Sequence, residues 1–395
     1  MKILQINSVC GSGSTGKIAV QISDYLNEKG IENYIAYGYG NVDRPNTYHF
    51  GNMPEAHLHS FISRKLCMQG YGSYFATLKL VDYIKRIKPD IIHLHNIHGH
   101  YLNFIILFKY LNKTDIKVVW TFHDCWAFTG KCVHFTEAQC SKWREGCFEC
   151  PQLSEYPDST YDRSEKNYAA KKRLFTANKN LHIVTVSKWL KEMAEQSYFA
   201  DKDIRYIYNG IDTEQFKYMS SDIRSKYGIG NAKLILGIAG VWNKRKHPEK
   251  FVELAQVMPD VKFVLIGKQL HEYTWPDNVI QLKDTDSAEE LCKWYSAADL
   301  FINFSKEETF GLVAAEAMAC GTPAMVMNST ACPEVVANKS MIMPDGNIEV
   351  VKNAVVHNLN NKDDRQVYVK YIKDKFSIKK MQEEYFGLYK EIGKE

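Results

Sequence analysis

Short apolar runs alternate with stretches of helical period along most of the chain. Residues 2–9 read as a strand, and residues 17–29 as a helix whose Ile18, Ile22, Tyr25 and Leu26 share one face. Residues 31–37 give a second strand, whereas 41–73 are polar and aromatic with no clear period. A helix over 78–87 ends at Pro89, and 90–95 read as a strand buried on both faces. A helix over 101–111 and strands over 117–123 and 183–187 follow. The second half repeats the style, with strands over 234–239, 262–266, 279–282, 300–304 and 324–327. Helices over 247–257, 288–297 and 312–320 lie between them. Strands separated by helices predict βαβ units and parallel sheets.

A chain of 395 residues is too long for one ordinary core, which favours two domains. The turn signal Asn209-Gly210 divides it into residues 1–208 and 209–376. An amphipathic helix over 378–392, in a terminal segment 377–395, can pack back on the first half. The expected fold class is α/β: two doubly wound, Rossmann-like domains facing each other across a cleft. A net charge of +4 is too small for a dedicated nucleic-acid binder. Met1 to Asn7 is strand-like rather than a signal peptide, and no apolar run approaches the roughly 20 residues of a membrane span. A cytoplasmic protein in a reducing setting is expected. Basic and aromatic positions (Arg64, Lys65, Tyr71, Tyr74, Lys171, Lys172 and Arg173) can touch the inner face of a membrane, with ordinary solvated charge as the alternative.

The first strand runs into Gly11-Ser12-Gly13-Ser14-Thr15-Gly16-Lys17-Ile18. This fits G-x-G-x-x-G and nearly fits the ATP-binding G-x-x-x-x-G-K-[ST], and both set backbone amides at a helix start. Ile18 stands where a magnesium-binding hydroxyl is needed, and no acidic residue closes the second strand for a dinucleotide ribose. A tight strand-to-helix turn remains open. So does a loop whose Gly13 and Gly16 line a cleft opposite a phosphate site.

The second half contains Phe304-Ser305-Lys306-Glu307-Glu308-Thr309-Phe310-Gly311-Leu312-Val313-Ala314-Ala315-Glu316, then Ala317-Met318-Ala319-Cys320-Gly321-Thr322-Pro323. A strand ends, Gly311 permits close backbone approach, and a helix of small residues begins whose amides can hold an anion. Glu308 on the loop and Glu316 on the helix can reach different parts of one ligand. Two solvated glutamates would be the plainer explanation for either residue alone.

This string resembles the signature of glycosyltransferase family 4, enzymes of the GT-B fold that retain the donor's anomeric configuration. Glu308 and Glu316 match its paired glutamates, with Thr309 where glycine is commoner. The resemblance implies that Glu316 holds the ribose and Glu308 the donor sugar. Amides of Phe310, Gly311 and Leu312 would meet the pyrophosphate and sugar. Asn209-Gly210-Ile211-Asp212 is similar to the family's interdomain junction. Lys246 matches its diphosphate-binding lysine, and Arg245 can stand in for the arginine whose place Val241 takes.

Asp90 to His100 carries four histidines. His93 and His95 point to one face of a buried strand, where structural histidines are common. His95, Asn96 and His98 at the strand's end can line the acceptor side. His123, in Thr121-Phe122-His123-Asp124, stands where the family sets a histidine against the donor sugar. Cys132, Cys140, Cys147 and Cys150 can form a structural zinc site, with His134 as a replacement ligand and unligated thiols as the alternative. The insertion around 125–157 is similar to that of family members from bacterial surface-polysaccharide clusters and would shape the acceptor side.

The resemblance implies retaining, metal-independent transfer from a UDP- or GDP-sugar to a saccharide or lipid-linked acceptor. The competing readings are a GT-B sugar-nucleotide epimerase or phosphorylase, and a zinc-stabilised interaction protein without activity.

Overall fold

The computed structural model describes residues 1–285, 287–360 and 364–394. The chain divides into two compact units, Met1–Tyr208 with Gln382–Glu395, and Asn209–Met381.

The first unit is built on seven parallel strands: β1 (Lys2–Val9), β2 (Glu32–Tyr39), β3 (Thr47–His49), β4 (Ile91–Leu94), β5 (Lys117–Phe122), β6 (Leu181–Thr185) and β7 (Asp203–Tyr206). Their order is β3-β2-β1-β4-β5-β6-β7. The second unit has six: β8 (Leu234–Trp242), β9 (Lys262–Gln269), β10 (Val279–Leu282), β11 (Leu300–Asn303), β12 (Ala324–Met327) and β13 (Ile342–Met343). Their order is β10-β9-β8-β11-β12-β13. Each sheet is therefore doubly wound, and its strand order reverses beside the first strand. Ligands of such sheets bind beyond the carboxyl ends of the strands at that switch point. In the first unit that place lies after β1 and β4, and in the second after β8 and β11.

The central strands are buried on both faces because helices cover both sides. All four residues of β4 are buried, as are those of β11. In the second unit Ile235, Phe251, Leu254, Phe263, Leu265, Ile302 and Met325 share one core cluster. The terminal helix Ile378–Ile392 lays Tyr385 and Tyr389 against the first unit's sheet, where both are buried. The Tyr389 hydroxyl bonds His93 Nδ1 (2.6 Å), and Thr121 Oγ1 bonds both His93 Nε2 (2.7 Å) and the Tyr385 hydroxyl (2.9 Å). Those bonds make His93 a fastening of the terminal helix.

Several elements differ from expectation. The segment 41–73 contains β3 and a helix, Met53–Leu66, started by Asn52, whose side chain accepts from the Glu55 amide. That helix buries Ala56, His59 and Ser63 while Leu58 and Phe61 face outward, so its period is hidden from a hydrophobicity reading. The helices Ser164–Thr176 and Lys188–Glu195 and strand β7 also escape that reading. Lys171 is not a surface cation. It is 1% exposed and donates to the Trp126 (2.8 Å) and Thr129 (3.1 Å) carbonyls. Burial pushes its ammonium down to about 7. Tyr71 is half-buried, edge-on to Phe104, rather than part of an open face.

Candidate functional site

In the second unit, β8 and β11 deliver one loop each to the switch point. The loop after β8 tightens into a short turn of helix, Lys244–Lys246, because the Asn243 side chain accepts from the Arg245 amide (3.1 Å). This brings the Lys246 ammonium onto Glu308 Oε1, and the two side chains are only 19% and 18% exposed. Arg245, the residue preceding Lys246, is partly buried. Asn303, at the end of β11, reaches the same carboxylate oxygen at 3.5 Å. The Glu308 amide donates to Thr330 Oγ1 (3.1 Å), which fixes the loop from below.

Phe310 is buried, and Gly311 opens the helix Leu312–Ala319. At Gly311 φ is +103°, whereas an added Cβ would meet nothing closer than Val335 at 3.8 Å. Backbone conformation, not crowding, therefore requires glycine there. Ala314, Ala315, Ala317 and Ala319 bury the helix closely. Glu316 accepts from the Tyr295 hydroxyl (2.9 Å). Burial, then the Glu316 charge, raises that phenol well above its ordinary range, so it stays a donor.

In the first unit the loop after β1 contains Gly11 and Gly13, both at positive φ, and Gly13 begins the helix Gly13–Glu28. At Gly16 the constraint is space. A Cβ there would sit 3.0 Å from Val9 Cγ2 and 3.2 Å from the Gly11 nitrogen. The loop after β4 is anchored by the Asn96 amide to Asn7 Oδ1 (3.3 Å) and the Tyr101 hydroxyl to the Asn96 carbonyl (2.6 Å).

The histidines form a directed chain that includes Gln5, a residue the sequence reading passed over. Gln5 Nε2 donates to the Ala19 carbonyl (2.9 Å), so its Oε1 faces His95 Nε2 (3.0 Å) and can only accept. His95 therefore carries its proton on Nε2. Burial, then the neighbouring His93 and His123, holds its ring well below the ordinary range, so it is neutral. Its Nδ1 must then accept, and His123 Nε2 donates to it (3.1 Å). Burial pushes His123 down to about 4. His98 Nε2 donates to Asp124 Oδ2 (2.6 Å), and Asp124 Oδ1 accepts from the Trp126 amide (2.8 Å). Burial alone would raise the Asp124 carboxyl, but His98 and that amide hold it at about 2. A small cavity is lined by His95, Asn96, His98, His123, Asp124 and Trp126.

The cysteine-rich insertion is packed around aromatic rings and tied by lysines to backbone carbonyls. Phe128 and Phe135 pack on Trp143 at 5.3 and 4.7 Å, and Lys131 donates to the Gln152 and Glu155 carbonyls (2.9 and 2.7 Å). The Cys132 and Cys150 sulfurs lie 4.0 Å apart, while Cys147 accepts from the Gly130 amide (3.1 Å). Among the described residues no group of three or more His, Cys, Asp and Glu converges as metal ligands. That arrangement lends no support to the expected zinc site at Cys132, Cys140, Cys147 and Cys150, with His134 as a substitute.

Two doubly wound parallel units are the architecture of the GT-B fold, and solved structures of that architecture match the whole chain. Sucrose-phosphate synthase from Thermosynechococcus elongatus superposes with a TM-score of 0.72 at 16% identity, covering 99% of this chain and 98% of that one. Anabaena HepE, solved with UDP and glucose, gives 0.67 at 15% identity over 99% of this chain and all of its own. Family models match in both halves: Glycosyltransferase Family 4 over residues 15–215 and Glycosyl transferases group 1 over residues 219–375. The chain belongs to glycosyltransferase family 4. It is 24% identical over 352 residues to WcaC of Escherichia coli (strain K12), a proposed colanic acid biosynthesis glycosyl transferase, covering 85% of each chain. An uncharacterised 41.2 kDa protein in the cps region of Klebsiella pneumoniae is 23% identical over 79% of this chain and 82% of its own.

Proposed function

We propose that this glycosyltransferase moves a sugar from a UDP- or GDP-sugar to a saccharide or lipid-linked acceptor, with retention and without a catalytic metal, in cytoplasmic assembly of surface polysaccharide. The observation that carries the reading is the cluster at the second unit's switch point. There Lys246, Glu308 and the glycine-opened helix bearing Glu316 stand together, about a fifth exposed at the ion pair. The relatives in colanic acid and capsule-region contexts support the polysaccharide setting, and HepE's bound UDP supports the donor class.

In this reading the diphosphate takes Lys246 from Glu308, with Arg245 and the amides of Phe310, Gly311 and Leu312 adding positive potential. Glu308, released, accepts from donor-sugar hydroxyls, and Glu316 with Tyr295 holds the ribose. Because the leaving group is a dianion in development, fixed cations at its oxygens lower the barrier. The departing phosphate oxygen takes the acceptor's proton on the same face, so no protein nucleophile is required. His123 is assigned to the donor sugar, and His95, Asn96 and His98 to the acceptor side, with Gly13 and Gly16 letting backbone approach the donor.

The test is a panel of UDP- and GDP-sugars incubated with saccharide and lipid-linked acceptors, followed by NMR of the product's anomeric proton. Release of nucleoside diphosphate with an unchanged anomeric configuration is expected. An inverted product, or an altered sugar nucleotide formed without acceptor, would replace this reading with another.

A further inference from the structure

Helix Met53–Leu66 faces the wrong way for an ordinary surface helix. Its inner side is Ala56, His59 and Ser63, whereas Leu58 and Phe61 on its outer side are each 60% exposed. The next helix, Tyr74–Ile87, opens with Tyr74, Phe75 and Leu78 outward, and Phe75 is 65% exposed. The two helices are joined where Glu55 accepts from the amides of Phe75 (3.1 Å) and Ala76 (3.0 Å). That contact occupies the first helix's only carboxylate. Among exposed residues from 53 to 88, the charges are then Arg64, Lys65, Lys79, Lys85, Arg86 and Lys88 against Asp82 alone. Arg64 has one acidic neighbour from elsewhere, Asp158 at 3.9 Å, and both side chains of that pair are mostly exposed.

An outward apolar stripe rimmed by cations is the pattern of a helix lying in a lipid interface. Self-association is the poorer occupant, because a second copy would bring cation against cation across the rim. No helix among the described residues is long and apolar enough to cross a membrane.

We propose that the outer face of Met53–Leu66 and the start of Tyr74–Ile87 seat in the headgroup region of an anionic phospholipid bilayer. Leu58, Phe61, Phe75 and Leu78 reach the acyl boundary, while Arg64, Lys65 and Lys79 meet lipid phosphates. The inference goes beyond sugar transfer and does not depend on it, since binding is measured without donor or acceptor.

The experiment is co-sedimentation of the full chain with vesicles of phosphatidylglycerol and phosphatidylcholine, compared with phosphatidylcholine alone. The wild type should pellet with the anionic vesicles and remain largely in solution with the neutral ones. Phe61→Ser with Phe75→Ser should weaken partitioning about tenfold or more. Arg64→Glu with Lys65→Glu should weaken it about tenfold on anionic vesicles only. Circular dichroism shows whether each variant keeps the fold, and either variant alone suffices for the test. The proposal is overturned if wild type ignores anionic vesicles or if folded variants pellet as it does. It is also overturned if light scattering finds a dimer that the phenylalanine variant turns into a monomer.

Discussion

The two units put their candidate residues at the same point of the same topology, yet hold them in opposite ways. In the second unit the partners are ions: Lys246 against Glu308, incompletely buried, each able to exchange its partner for a ligand. In the first unit His95 is buried and His123 half-buried, both neutral and bonded in one direction through Gln5. An ion pair at a loop end suits a site where charge arrives and leaves. Neutral rings fixed by a buried amide suit a site where geometry must not change. Under the proposed function, the second unit's ion pair would supply the binding energy for an anionic donor.

The largest expected effect breaks the ionic half. Lys246→Ala should lower kcat/KM by about 10²–10³, the cost of removing one fixed donor to developing charge. Lys246→Arg should recover part of it, and a loss below about threefold would contradict the charge assignment.

Next comes the neutral half, probed by acid. Folding depresses His93 to about 3 and His123 to about 4 from an ordinary 6.5, both by burial. The unfolded chain therefore binds these protons first as pH falls. Stability should be complete above about pH 6.5 and decline by about 2–3 kcal/mol per pH unit below it for the two together. Denaturant midpoints between neutrality and pH 5.5 check this, and a flat profile would mean these rings are not buried neutral.

A smaller effect separates binding from chemistry. Glu316→Ala should raise the donor KM about tenfold with a lesser change in kcat, because it removes a charged hydrogen-bond acceptor from the ground state as well as the transition state. Equal losses in kcat and kcat/KM would move Glu316 from ribose to reacting sugar. The smallest is Tyr389→Phe, which leaves a buried His93 nitrogen without its partner and should cost about 1–3 kcal/mol in urea unfolding. Transfer kinetics of the folded fraction should be unchanged.

The donor segment was legible because its parts are consecutive: strand, loop carboxylate, glycine, helix and second carboxylate all fall between Leu300 and Ala319. The histidine chain was only half legible. Gln5, His95 and His123 come from β1 and from the ends of β4 and β5, and parallel register, not sequence spacing, makes them neighbours. A signal did exist, since Gln5 and Asn7 are polar residues alternating with the apolar Leu4 and Ile6. The helix Met53–Leu66 was illegible for a different reason. Polarity reports burial only when apolar residues face inward, and here Leu58 and Phe61 face out. The cysteine spacing says nothing of how the insertion packs around Trp143 or of the lysines that pin it to carbonyls. Tyr295 and Asn303, which orient Glu316 and approach Glu308, carry no motif of their own and are found only from their contacts.

The central claim is that the donor's nucleoside diphosphate binds the second unit through Lys246 and Glu316. Calorimetric titration of UDP and GDP into wild type, Lys246→Ala and Glu316→Ala tests it most directly. One of the two nucleotides should bind wild type, and each substitution should weaken it about tenfold or more. Equal affinity in all three folded proteins would contradict the site.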